Sequence, residues 1–179
     1  MININVEDNA SLEWLPQESL LFDQSHAKLS TIIKLSSKAK FIGWEMLCLG
    51  RKASNEQYQS GNCRQTFELW RDEQPLYIER SHLLGGDDMM TQPWGLNNLP
   101  VTATMLATGC DKDLLKKVQS LIKSNNLSQL SVTLKDDLLI CRFLGKQAEI
   151  ARKAFTQVWS IIRPVTIGYE ANSPRIWNT

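Results

Sequence analysis

The run Phe41-Ile42-Gly43-Trp44-Glu45-Met46-Leu47-Cys48-Leu49 constrains the fold more than any other stretch. Side chains along a strand alternate between two faces, so a run apolar at both parities predicts a strand covered on both sides. Gly43 and Glu45 are its two exceptions. Glu45 shares a parity with Phe41, Leu47 and Leu49, so its carboxylate points into an apolar layer. A buried, unpaired carboxylate is costly and needs a cation, hydrogen bonds or water. Glu79, in Leu76-Tyr77-Ile78-Glu79-Arg80, raises the same problem. From the residues alone two readings stand. Glu45 or Glu79 pairs with Arg51 or Arg80 in a buried salt bridge, or both acids line a wet internal passage for a divalent cation.

The rest of the chain supplies partners for such a strand. Ala27, Leu29, Thr31, Ile33 and Leu35 alternate with Lys28, Ser30, Ile32 and Lys34, a strand with one apolar and one mostly polar face. Residues 65–71 and 76–82 flank Asp72-Glu73-Gln74-Pro75 and predict a hairpin with a short polar loop. Gly85-Gly86-Asp87-Asp88 and Pro93-Trp94-Gly95 predict a long loop. A strand over 101–108 follows. Asp111 then caps a helix with apolar positions Leu114, Leu115, Val118, Leu121 and Ile122. Strands over 129–134 and 138–144 come next. A second helix carries Ala151, Ala154, Phe155, Val158, Trp159 and Ile162, and Pro164 is expected to stop it. The expected fold class is mainly β with two α-helices (α+β), ending in a β-α-β-β-α segment.

Charge and motif content exclude several chemistries. Lys and Arg total 20 against 19 Asp and Glu, so the chain lacks the basic excess of a nucleic-acid binder or a polybasic membrane anchor. No apolar run is long enough to span a bilayer, and Met1 to Asn5 does not read as a signal peptide. There is no GxxxxGK[ST], GxGxxG or GxSxG pattern. Cys48, Cys63, Cys110 and Cys141 lack metal-ligand spacing and read as small buried hydrophobes. His26 and His82 are the two histidines available to a remote Cys–His hydrolase reading. With six tryptophans, the chain has candidates for a partner-facing surface, among them Trp70 and Trp94.

Longer stretches carry more than pattern. Leu12-Glu13-Trp14-Leu15-Pro16-Gln17-Glu18 is followed by Phe22-Asp23. Then come Trp44-Glu45-Met46-Leu47-Cys48-Leu49-Gly50-Arg51, Gly61, Ile78-Glu79-Arg80 and Pro174-Arg175-Ile176-Trp177-Asn178-Thr179. In this order, and spread nearly end to end, they resemble signatures of the UreD/UreH family of urease accessory proteins.

The resemblance implies a β-rich superhelix with two helices, and residues 1–179 as a single UreD-like domain. It implies a non-catalytic role in urease maturation, as scaffold and nickel conduit for insertion into apo-urease. The implied partners are a UreF-type accessory protein, a UreG-type GTPase reached through it, and the apo-urease subunits, in the cytoplasm. No nucleic acid, membrane or tightly bound cofactor is implied; nickel would be in transit. Glu45 and Glu79 match positions proposed to line the conduit, so the resemblance favours the passage reading. A conduit must release its ion, which sparse carboxylates permit better than a Cys or His cage. The alternative is a β-rich interaction module that kept the fold without nickel transfer. Family members carry a further N-terminal region before the Leu12 motif, so the chain corresponds to the C-terminal two-thirds of a full member. An edge strand is then expected to lie open. The closing Pro174–Thr179 stretch is expected to be tied down on the body.

Overall fold

In the computed structural model, which describes residues 1–178, the N-terminal half winds back and forth between two sheets. β1 (Ile2–Val6) lies in the first sheet, β2 (Ser11–Trp14) and β3 (Ser19–Leu21) in the second. β4 (His26–Leu35) returns beside β1, β5 (Lys40–Leu49) beside β2 and β3, and β6 (Asn62–Arg71) beside β4. All of these neighbours are parallel. Parallel strands joined through the opposite sheet form a coil, which is the superhelical character expected of the chain. β1 and β7 are the two edges of the first sheet.

From β6 onward the pairing is antiparallel. β7 (Gln74–Leu84) folds back on β6, β8 (Val101–Ala107) pairs with β5, and β10 (Leu138–Gly145) bridges β8 and β9 (Leu130–Lys135). The hairpin loop is shorter than expected. Asp72 and Glu73, with φ of 46° and 62°, form a two-residue turn, and Gln74 and Pro75 already pair with Arg71 and Trp70. Pro75 is tolerated because β7 is an edge strand.

Among the described residues there are three α-helices, two of them long. α1 (Asp88–Thr91) is a single turn inside the stretch expected to be loop, started by the Asp87 carboxylate accepting from the Asp88 N–H. α2 (Lys112–Ser124) starts where expected: Asp111 Oδ1 accepts from the Leu114 N–H at 2.8 Å. α3 (Ala148–Thr166) does not stop at Pro164. The ring forfeits one intrahelical bond, but the Ile167 N–H still reaches the Arg163 carbonyl at 2.8 Å, so the last turn closes past it.

α3 crosses β5, β8 and β10 on the outer face of the second sheet, and α2 packs against β9. Ile42, Trp44, Met46 and Cys48 meet Phe155, Val158 and Ile162 there in one apolar layer. The other parity of β5 faces the first sheet, where Phe41 joins Ile33, Phe67, Leu69 and Leu106. Leu47 and Leu49 join Leu21, Cys63 and Leu83 in a separate apolar cluster. β5 is thus covered on both sides, and each large side chain buried in this way contributes about 1.5–3 kcal/mol. The inner face of β5 also needs Gly43, because a β-carbon there would lie 2.5 Å from the Phe41 ring and 2.9 Å from the Trp14 carbonyl oxygen.

The four cysteines are buried and free, as read from their spacing. Burial pushes the Cys48 and Cys110 thiols up to about 11 and raises Cys63 and Cys141 as well. The closing stretch packs back on the body. Its Trp177 ring sits 5.5 Å from Trp44 and 5.3 Å from Trp159, centroid to centroid. Thr179, the last residue of that signature, lies outside the described residues. No helix among the described residues is long and apolar enough to cross a membrane.

Candidate functional site

Strand register builds a polar row inside the sandwich. Glu45 on β5 pairs with Thr104 on β8, and Thr104 pairs with Arg142 on β10, so the three side by side share the inner face of the second sheet. Facing them on the first sheet are Gln65 of β6 and Glu79 and Ser81 of β7, brought level by the pairs Gln65–Ser81 and Phe67–Glu79. These six residues line a recess of about 270 Å³. It lies where the apolar packing between the sheets divides into its two clusters. Glu45 and Glu79, singled out separately in the sequence, are therefore brought to one place by opposite sheets.

Glu45 is held by one neutral donor, and Glu79 by a neutral donor and one cation. Gln65, buried, donates from Nε2 to Glu45 at 2.9 Å. The Tyr77 hydroxyl donates to Glu79 Oε2 at 2.8 Å, and Arg142 donates from Nη2 to the Tyr77 oxygen at 2.7 Å. Arg142 Nη1 lies 3.6 Å from Glu79 Oε1. Burial and the nearby Glu79 charge raise the Tyr77 phenol well above its ordinary value, so it remains a donor at neutral pH.

The salt bridges to Arg51 or Arg80, one of the two readings of the residues, are not formed. Arg51 pairs with Glu56 at 2.6 Å, and Arg80 pairs with Glu68 at 2.8 Å. The reason is parity. Arg80 is adjacent to Glu79 in the chain and so projects from the opposite face of β7, toward Glu68 on the outer face. Arg51 lies past the end of β5, beside the loop that carries Glu56.

Arg142, Gln65, Thr104 and Tyr77 were not singled out from sequence. Arg142 carried a usable signal, because it shares a strand parity with Leu138 and Ile140, just as Glu45 does with Phe41 and Leu47. The polar threonine and glutamine had no comparable mark.

His26 is exposed and lies away from the recess. His82 borders the recess, but its ring is exposed and its Nε2 is 3.0 Å from Asn62 Oδ1. With every thiol buried and its pKa raised, no cysteine is prepared as a nucleophile. Among the described residues no three His, Cys, Asp or Glu side chains gather as a metal cage. Trp94 is 69% exposed, whereas Trp70 is partly buried and donates to Glu68 at 3.0 Å.

Fold and recess together define a class: a helix-backed, coiled β-sandwich with a charged recess between its sheets. Comparison with known proteins then places the chain. The sequence model of the family described as UreD urease accessory protein matches residues 1–178, and the chain belongs to that family. A urease accessory protein UreD from Pseudomonas fluorescens (strain Pf-5) is 40% identical over 181 residues, covering 99% of this chain and 63% of that protein. The protein of that name from Pseudomonas aeruginosa (strain PAO1) is also 40% identical, with the same coverage. One from Saccharophagus degradans is 36% identical over 182 residues, covering 99% and 62% respectively. The chain thus spans about 63% of the length of these curated relatives.

Proposed function

We propose that this chain acts in urease maturation as a non-catalytic scaffold, and that the recess between its sheets forms part of a path for nickel on its way into apo-urease. Membership of the urease accessory family supports the maturation role. One observation carries the nickel reading: Glu45 and Glu79, from opposite sheets, line the same recess within an otherwise apolar sandwich. Carboxylate, hydroxyl and amide oxygens attract a divalent cation yet release it more readily than thiolate or imidazole ligands. The partners are a UreF-type accessory protein, a UreG-type GTPase reached through it, and the apo-urease subunits, with the cytoplasm as the site of assembly. Nickel is cargo on this reading and not a resident cofactor.

A second reading is favoured by the Arg142–Glu79 pair, which fills part of the recess from within the chain. On that reading the protein is a β-rich interaction module without a nickel path. The double substitution Glu45→Gln, Glu79→Gln separates the two. Urease activation in cells, measured as nickel incorporated per urease, is expected to fall at least several-fold while co-purification with the UreF-type partner and apo-urease persists. Unchanged activation would remove the conduit and leave the scaffold. Loss of binding to both partners by the unaltered protein would remove the maturation role itself.

A further inference from the structure

Resting on the conduit reading above, we propose that Arg142 is a displaceable counter-ion that keeps the recess weak for divalent cations. The geometry sets up a direct competition. Glu79 has both oxygens engaged, Oε2 by the Tyr77 hydroxyl at 2.8 Å and Oε1 by Arg142 Nη1 at 3.6 Å. Arg142 is itself aimed by its 2.7 Å bond to the Tyr77 oxygen and by its guanidinium carbon lying 5.8 Å from the Tyr77 ring centroid. A guanidinium has no lone pair to give a metal and its charge repels one. A cation held between Glu45 and Glu79 must therefore drive Arg142 off Glu79.

Arg142 is built to leave. Its side chain is 57% exposed while that of Glu79 is 17% exposed, so the cation sits toward solvent and the anion inside. Rotation of the side chain alone carries the charge into water, where it needs no replacement partner. Arg80 borders the recess, but its side chain projects from the opposite face of β7 onto Glu68 at 2.8 Å and does not take this role. The arrangement gives a site in which the charge of Glu79, though not that of Glu45, is balanced when empty. An arriving ion gains two carboxylates but must expel one positive charge, which lowers its affinity and speeds its release. That is the property a transfer path needs and a storage site lacks.

The test is titration of the 179-residue chain with Ni²⁺, read by equilibrium dialysis and calorimetry, with thermal unfolding to confirm that each variant is folded. Arg142→Met keeps the stem and removes the charge, and nickel is expected to bind about tenfold more tightly, as removal of one opposing charge at a half-exposed site allows. Tyr77→Phe keeps the charge but cuts its anchor, and a smaller tightening of about two- to threefold is expected. Both gains should vanish when Glu45→Gln and Glu79→Gln are added. If neither Arg142→Met nor Tyr77→Phe tightens binding while the paired glutamine substitutions weaken it, Arg142 is no counter-ion and the conduit stands. If the glutamine substitutions leave nickel binding unchanged in every background, the recess is not a cation site and both readings fall.

Discussion

The two faces of the second sheet are made by the same strands and behave oppositely. On the helix side, Ile42, Trp44, Met46 and Cys48 of β5 continue into Ala103 and Met105 of β8 and Leu139 and Cys141 of β10 without a polar break. On the side facing the first sheet, the same strands present Glu45, Thr104 and Arg142 in one row, and the apolar packing falls into two separate clusters. The middle of the sandwich is apolar except where that row lies. The helix-backed layer supplies a continuous core, so the layer between the sheets is free to carry a charged recess.

The largest effect should come from the dry side. Trp44 is 1% exposed, packs 6.0 Å from Phe155 and 5.5 Å from Trp177 between ring centroids, and donates to the Pro16 carbonyl at 2.9 Å. Trp44→Ala is expected to cost about 3–5 kcal/mol in chemical denaturation. A loss below about 1 kcal/mol would show that the helix layer is not the dominant core and would undo the comparison.

A smaller effect belongs to the clamp that joins the two sheets at the far end. Arg71 of β6 forks onto Asp137, in the turn between β9 and β10, at 3.0 and 2.9 Å, and the Gly109 N–H adds a third bond at 3.0 Å. The Arg71 guanidinium, with that backbone N–H, holds the Asp137 carboxyl below its ordinary value of 3.8. A carboxyl depressed on folding contributes stability in full above its unfolded pKa and loses it as pH falls through the folded value. Asp137→Asn should therefore cost on the order of 1 kcal/mol at neutral pH, the pair being partly solvent-screened. It should also make the decline in unfolding midpoint below about pH 4 shallower than in the unaltered protein, the window being set by that same unfolded pKa. Glu68, depressed by Arg80, acts with the same sign, so some acid sensitivity should remain.

The smallest stability effect should come from the wet side. Glu45→Gln keeps an oxygen for the Gln65 N–H and removes only the charge, so the change is expected to stay below about 1 kcal/mol in either direction. If that substitution instead unfolds the protein, the row is a structural brace. A folded variant with impaired nickel delivery would sharpen the contrast between a layer kept for stability and a layer kept for transfer.

Much of the fold was legible because local rules coincide with it. The two-period stretch at Ala27–Leu35 became β4, the doubly apolar run became β5, and Asp111 capped α2 through the Leu114 N–H. The misreadings came where context overrode a local signal. Pro164 sits in a final turn that closes around it, and a one-turn helix formed within the loop after β7. The candidate site was half legible. Glu45 and Glu79 were conspicuous as acids among apolar neighbours, but their partners were not. Arg51 and Arg80, the near neighbours in sequence, turned out to be engaged elsewhere.

By itself, then, the sequence determined which segments alternate, which helices carry an apolar stripe, and which two carboxylates need an explanation, because all three are properties of side chains a few residues apart. Only the tertiary structure decided that Glu45, Thr104 and Arg142 form a row and that Glu79 and Gln65 face it. Those meetings depend on the register between strands up to about a hundred residues apart, from Glu45 on β5 to Arg142 on β10. A shift of one residue in either pairing would turn the row to the other face.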